Sequence, residues 1–470
     1  MAECRLDRDI LEAFSLGALA PDEALRVEAH LRSGCPACQR RIHDILRSVV
    51  ELKVPPAESA TPATPATSAT SATSATSADS ARDAALEQTL AGLDQRLLLQ
   101  SLERTVAPSL AGELLAQPPG EREGLLRTQS RFCSLAVCEV LIEQSFTVGF
   151  EEPERAVELA ELALLLADHL DGEYYGRPVV QDLRARSWAH LGNARRIGSD
   201  LPGAEQAMRC AEALLDQGSA DPLEEARVLD FRVSLLSDQG WFEEAAGLLN
   251  SVIAIYEDVR DNHRKGRALI SQGLILSYAG RPEEAVVCLS SGLMAIDWAV
   301  EPRLALMARH NLAWSLNDCG RSDEAQRLLE RFREEYHGFH DFWTELRLSW
   351  LESRIALRLG REEEAEKGLR EVRARFLEKD LFYDAAMVVL DLAALYLSQS
   401  KSAEVRRLAE EMLPTILTQK VHRQAAAALL AFRQAAKMSI TTPRLLREIG
   451  SYLQRARKNP ALRFGPGASG

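Results

Sequence analysis

With 470 residues, 46% of them hydrophobic and 27% charged, the chain has the length of two or three domains and the composition of packed globular material. A formal net charge of −13 disfavours direct DNA or RNA binding, because no overall positive field is available to release counterions from phosphates. No run of about 18 apolar residues is present to span a bilayer, and Met1-Ala2-Glu3-Cys4-Arg5 opens into charged sequence without an apolar signal core, which predicts a cytoplasmic chain without a membrane partner.

Aromatic residues make up only 6%, while Leu, Ala, Glu and Arg dominate, so the expected class is all-α. The first predicted unit is a small helical head over 1–54. Pro21 and Asp22 mark the start of a helix that carries Ala24, Leu25, Val27, His30 and Leu31 towards Gly34, and Cys35-Pro36-Ala37-Cys38 opens the next helix. Cys4, then 25 residues, His30, then four, Cys35, then two, Cys38 is the strongest chemical pattern in the chain. Two thiolates at Cys-x-x-Cys spacing at a helix start can grip one tetrahedral Zn²⁺, and His30 at the end of the preceding helix adds a nitrogen. The helix dipole lowers a first-turn thiol pKa and so favours the metal-binding form. A head this small has too little core to fold securely alone, which a metal cross-link would remedy. Two alternatives stay open on the residues alone: Cys4 as an unliganded cysteine, and redox sensing in which thiols join and expel the metal. The other cysteines, Cys133, Cys138, Cys210, Cys288 and Cys319, stand singly in apolar-flanked helical sequence and are expected to pack as small hydrophobes.

The stretch Asp9-Ile10-Leu11-Glu12-Ala13-Phe14-Ser15-Leu16-Gly17-Ala18-Leu19, with Ala29-His30-Leu31 and Cys35-Pro36-Ala37-Cys38, resembles the zinc-binding anti-sigma domain. The resemblance implies a zinc-held three-helix head, the ligand set Cys4, His30, Cys35 and Cys38, and a transcription partner such as a sigma factor. The chain departs from the family in having four residues between His30 and Cys35 where three is usual. The fourth helix, with which such domains clasp a sigma factor, is missing or lies past the linker near 83–105.

Residues 55–82 are rich in Pro, Ala, Ser and Thr and hold no large apolar side chain to offset the entropy of ordering, so they are predicted to be a disordered linker. A coil of that length spans on the order of 30 Å.

A helical repeat array is predicted over 83–458. Its early part includes the amphipathic stretch Arg155 to Leu164, and from Gly240 the chain repeats itself with a 40-residue period. Gly240, Gly280, Gly320 and Gly360 are each followed by an acidic residue at the fourth place (Glu244, Glu284, Glu324, Glu364), alanine at the fifth (Ala245, Ala285, Ala325, Ala365) and leucine at the ninth (Leu249, Leu289, Leu329, Leu369). Each unit reads as a helix pair, in which glycine takes positive φ to end the first helix and the acidic residues favour the start of the second. The alanine lets the two helices approach closely. Trp188-Ala189-His190-Leu191-Gly192-Asn193 with Asp200-Leu201-Pro202-Gly203-Ala204, Met208 and Ala211 resembles the tetratricopeptide repeat signature, and the likeness extends over roughly 180–410. It implies an α-α superhelical solenoid whose concave face receives a protein or peptide. Asn193 stands where carboxylate-clamping members carry an asparagine, but no matching Lys and Asn set follows in the later units. The array is expected to end with a helix near 422–437 or 442–457, followed by a frayed tail at 459–470.

No nucleophile elbow, P-loop, dinucleotide glycine motif, His-Glu-x-x-His or paired catalytic carboxylate set occurs, and no enzyme class is expected. Glu362-Glu363-Glu364 reads as a solvated helix end, and His337-Gly338-Phe339-His340-Asp341 as polar loop residues rather than a metal site. The sequence therefore predicts a regulatory interaction protein whose head binds a transcription partner and whose array binds a second protein or peptide. The alternative is a general scaffold whose head is only a structural or redox-sensing element.

Overall fold

The computed structural model describes residues 100–412 and 423–458 apart from His340, together with Val27 and Phe464. The proposed zinc ligands Cys4, His30, Cys35 and Cys38, the 55–82 linker and most of the 459–470 tail lie outside the described residues. Among the described residues every regular element is a helix. The chain divides into two compact units, Met1–Ala194 and Arg195–Gly470.

In the first unit, α1 spans 100–115. It is followed by α2 (Pro119–Thr128), a 3₁₀ turn (Ser130–Phe132), α3 (Leu135–Val148), α4 (Pro153–Asp168), the single turn α5 (Gly172–Tyr175) and α6 (Arg177–Ile197), within which the unit boundary falls. Local chemistry sets these ends. Ser134 caps α3 by accepting from the Val137 amide, and Pro153 opens α4 where its missing N–H costs nothing. The amphipathic stretch foreseen at 155–164 is α4, and its Leu159, Ala163 and Leu166 are fully buried against Leu141, Phe132 and Leu183. Arg122 ties three segments together, donating to the Leu115 and Gln117 carbonyls at the end of α1 and to Glu158 of α4.

The second unit is a run of helix pairs. After α7 (Leu201–Leu215) they are α8 (Pro222–Asp238) with α9 (Phe242–Asp258), α10 (Asn262–Tyr278) with α11 (Pro282–Ala295), and α12 (Pro302–Asp318) with α13 (Ser322–His337). Then come α14 (Phe342–Arg358) with α15 (Glu362–Glu378), α16 (Phe382–Ser398) with α17 (Ser402–Glu411), and α18 (Arg423–Lys437) with α19 (Pro443–Lys458). Both helices foreseen as rival last elements are therefore present.

The turns repeat as closely as the sequence does. Gly240, Gly280, Gly320 and Gly360 have φ between 76° and 80°, and the next residue's amide reaches back to a carbonyl five places earlier, as from Arg281 to Leu276 at 2.9 Å. The same closure occurs without glycine at Arg260, Asp380, Ser400 and Ser439, each at φ 58°, but not after α11 or α13, which end at Ile296 and Gly338 with negative φ. Ala245, Ala285, Ala325 and Ala365 are all fully buried, as their place between paired helices requires. The tightest pair is α10 with α11. A side chain at Gly292 would put its Cβ 2.9 Å from the Gly266 carbonyl oxygen and 3.0 Å from the Ile270 amide, so only glycine permits this approach.

One helix goes beyond the pattern. α19 packs on α18 as the second helix of its pair, and in addition it packs on α16 and reaches α10, both first helices of earlier pairs.

Candidate interaction groove

The first helices of four successive pairs, α10, α12, α14 and α16, line a groove of about 530 Å³, to which α19 adds Leu453. The 40-residue register explains why their side chains converge. Met307, Arg347 and Met387 occupy one position of the repeat, His310 and Trp350 a second, and Leu274 and Trp314 a third, so each helix brings the same face to the groove.

An aromatic ladder forms the floor. Trp314 meets Trp350 edge-on at 5.2 Å between centroids, and Trp350 meets Phe376 of α15 in the same manner at 5.6 Å. Behind it, Arg354 lies over the Trp314 ring at 4.2 Å, donates to Asp318 at 3.0 Å and stands 3.6 Å from Asp391. The Trp350 indole N–H donates to Asp391 at 2.9 Å. Burial pushes the Asp391 carboxyl above its ordinary range although Arg354 opposes the shift, while Arg354 itself, opposed by burial, is held up by Asp391 and Asp318. The two indoles are thus held by one ion pair, Trp314 by the Arg354 guanidinium and Trp350 by the Asp391 carboxylate.

His310 sits beside this ladder, its Nδ1 3.2 Å from the Tyr336 hydroxyl. Burial first, and the Arg347 charge second, hold its pKa down at about 3, so the ring is neutral at physiological pH. The sign of the linkage follows. With a folded pKa below the ordinary 6.5, His310 contributes stability that is present above pH 6.5 and is lost as pH falls towards 3. Between pH 7 and pH 4.5 the loss attributable to this ring is about 2 to 3 kcal/mol. A His310→Gln variant, followed by urea denaturation across that range, is expected to have a pH profile flatter by that amount; an unchanged profile would mean the imidazole is free to protonate in the fold.

Arg347 differs from its neighbours. Its side chain is exposed on the groove wall and, among the described residues, makes no hydrogen bond or ion pair. Asp384, the other charged lining residue, is buried and already engaged. Asn311 and Ser277 add polar groups to the same wall. The groove therefore offers one exposed guanidinium without a partner among the described residues, polar neighbours and an apolar, aromatic floor.

The residues singled out in the sequence lie elsewhere. Asn193 is buried and already engaged, so it does not present an amide to a partner carboxylate. In the loop cluster, Asp341 caps α14 by accepting from the Thr344 amide at 3.0 Å and pairs with Arg303 at 3.3 Å, which is a structural role. Of the five described cysteines, Cys138 alone is fully buried, its thiol pushed up to about 12 by burial; Cys133, Cys288 and Cys319 are half-buried and also raised. Among the described residues no group of three or more His, Cys, Asp or Glu side chains is placed to hold a metal ion. No described helix is long and apolar enough to cross a membrane. Arg347, His310, Trp314 and Trp350 were not singled out in the sequence, although one signal was there: His310, Trp314 and Trp350 are polar or aromatic at register positions that Ile270, Leu274 and Leu390 fill elsewhere with aliphatic side chains, and Arg347 stands where Met307 and Met387 do.

No protein-family model matches the chain, and no curated protein matches it in sequence. Among solved structures it is similar to a Rap protein complexed with competence and sporulation factor, with a TM-score of 0.50 at 15% identity over 68% of this chain and 91% of that one. A tetratricopeptide repeat protein from Parabacteroides merdae aligns with a TM-score of 0.40 at 16% identity, over 63% of this chain and 98% of that one. Aspartyl phosphate phosphatase F from Bacillus subtilis aligns at 0.45 and 13% identity, over 93% of this chain and 96% of that one. The likeness to the Rap protein is one of fold, and with the helix pairs and their 40-residue register it makes the array tetratricopeptide-like.

Proposed function

We propose that this chain is a non-enzymatic, cytoplasmic regulatory protein whose array binds a peptide or an extended protein segment in the groove. The reading rests on Arg347, an exposed guanidinium without a partner among the described residues, at the edge of an aromatic floor. Leaving such a charge uncompensated there makes sense if a carboxylate arrives from outside, and Arg is suited to take it in a forked hydrogen bond. The partner is accordingly a short peptide stretch with an acidic side chain or a free C-terminus beside an apolar or aromatic residue that rests on Trp314 and Met387. The cavity size suits a ligand of a few residues. Titrating intrinsic tryptophan fluorescence with a library of short acidic peptides and their neutral amidated counterparts should reveal acidic binders. Arg347→Gln should weaken them by roughly ten- to a hundredfold, the loss expected for a charged hydrogen bond, with melting unchanged. Equal binding of both peptide classes, or an unaffected variant, would dismiss the site.

The head over 1–54 adds a second partner in this reading. It holds one Zn²⁺ through Cys4, His30, Cys35 and Cys38 and binds a transcription protein, with a sigma factor as the candidate that its resemblance to anti-sigma domains supports. One zinc per chain is expected in purified protein, lost in Cys35→Ser/Cys38→Ser. A sigma factor encoded beside the gene should co-purify with 1–54 or, if the clasping helix lies past the linker, only with 1–110. Zinc without any such partner would leave the general scaffold with a structural or redox-sensing head.

A further inference from the structure

Contacts between α12 and α14 place a second hydrogen-bond donor beside Arg347. Asp318 meets Arg354 at 3.0 Å and Trp314 meets Trp350 at 5.2 Å between ring centroids, both pairs 36 positions apart in sequence. The two contacts lie one turn apart on each helix, so α12 and α14 run in the same direction. A further turn towards their starts, the same spacing sets His310 level with Leu346 and Arg347. Leu346 is fully buried, whereas His310 and Arg347 both line the groove. Arg354 and Asp391 are separated by the same 37 positions as His310 and Arg347, and their charged groups stand 3.6 Å apart. The His310 ring has one nitrogen committed to the protein. The hydroxyl of Tyr336, on α13, lies 3.2 Å from Nδ1 and has no other hydrogen-bond partner among the described residues. Tyr336 is only 6% exposed, so its hydroxyl proton needs an acceptor, and a bare Nδ1 is the one within reach. Tyr336 therefore donates, and the proton of the neutral ring sits on Nε2. That Nε2–H makes no hydrogen bond among the described residues and is not sealed from solvent.

We propose that the His310 Nε2–H and the Arg347 guanidinium form one seat for a carboxylate, and that His310 sets the preference of the groove for an acid over the corresponding amide. The proposal rests on the groove being a peptide-binding surface and names the second residue that reads the acid. A carboxylate offers acceptors to both donors, whereas an amide offers one oxygen and turns its NH₂ towards a donor. A neutral imidazole adds direction without a second cation for Arg347 to repel, and Tyr336 is the positioning residue that holds the required tautomer. Trp314 stands one turn along α12 from His310, on the same face, so an apolar side chain next to the carboxylate rests on that indole.

The test uses the full chain and three N-acetyl dipeptides, with binding followed by tryptophan fluorescence. They are Leu-Phe with a free C-terminus, Leu-Phe with an amidated C-terminus, and Asp-Phe with an amidated C-terminus, which carries its acid on a side chain. At least one acid is expected to bind roughly tenfold or more tighter than the neutral amide, and the better of the two identifies the source of the carboxylate. His310→Phe should weaken that acid roughly tenfold and leave the amide unchanged, while His310→Gln, which restores an N–H, recovers part of the loss. In an Arg347→Gln background the same His310→Phe change should cost less than about threefold, because both donors serve one carboxylate. Nitrogen-15 spectra of histidine-labelled protein should show the His310 proton on Nε2, the signal being identified by its absence in His310→Gln, and the acid should shift it. A proton on Nδ1, no loss in His310→Phe, or an equal loss for acid and amide overturns the proposal, as does failure of both acids to bind. Should His310→Phe not fold, the spectrum decides: an Nε2 signal that the bound acid leaves unmoved overturns it. Acid binding that depends on Arg347 but ignores His310 removes this proposal alone and leaves the peptide-binding reading in place.

Discussion

Replacing Arg354 with alanine is expected to lower the stability of the second unit by about 3 to 5 kcal/mol, the cost of removing one partner from a largely buried ion network. Three groups depend on this guanidinium: Asp318 at 3.0 Å, Asp391 at 3.6 Å, and the face of Trp314 at 4.2 Å. The Arg354 side chain is 18% exposed and the two carboxylates 29% and 21%, so water screens the network only partly. Without the arginine, two carboxylates face each other with little solvent, and Asp391, already raised by burial, rises further. This gives the loss a pH signature. Raising the folded pKa of Asp391 further above its unfolded value means that the variant recovers stability as the pH falls through that raised value and the carboxyl takes up a proton. The deficit measured by urea denaturation should therefore be larger at pH 7 than at pH 5. A Lys substitution keeps the charge but loses the planar stack on Trp314 and is expected to recover only part of the loss. A deficit below about 1 kcal/mol at pH 7 would place the network among weak surface pairs.

That network shows where the sequence was legible and where it was not. The 40-residue register of Gly240 to Gly360, the buried alanines and the helix ends could be read because each follows from local chemistry: positive φ, a small residue at a close approach, acidic groups at a helix start. Ser400 in the glycine position reads equally well once the register is set. Arg354 and Asp391 could not be paired in advance. They stand on neighbouring first helices 37 residues apart, and in sequence each looks like a solvated helix charge. The groove was hidden for the same reason, since the side chains that define it depart from the repeat at positions where the repeat has little to say. Asn193 bears out the sequence argument against a carboxylate clamp, since a polar residue in a motif is not thereby on a surface; here it is buried and engaged. The helix α19 was foreseen near 442–457 but its packing on α16 was not, because its spacing fits an ordinary second helix and only tertiary structure adds that contact. The head is a separate matter: its four proposed ligands lie outside the described residues, and the metal assay carries that question.

The second large effect is expected at Trp350, where alanine should cost about 3 to 5 kcal/mol through lost burial and the cavity left behind. The indole is 8% exposed and touches Trp314 on one edge and Phe376 on the other, so its removal uncouples the groove floor from the helix behind it. It also withdraws the N–H that Asp391 accepts at 2.9 Å, which Trp350→Phe isolates: the ring mostly remains, and the loss should fall to about 1 to 2 kcal/mol. Because Trp350 and Arg354 share Asp391 and both hold Trp314, their effects are not independent. The double variant Trp350→Ala/Arg354→Ala is expected to lose about 1 to 2 kcal/mol less than the sum of the single losses, as measured in a double-mutant cycle. Strict additivity would mean that the aromatic ladder and the ion network stand side by side without coupling. Their coupling is what lets a buried charge cluster set the shape of an aromatic floor, and so what would give the proposed peptide a fixed surface to rest on.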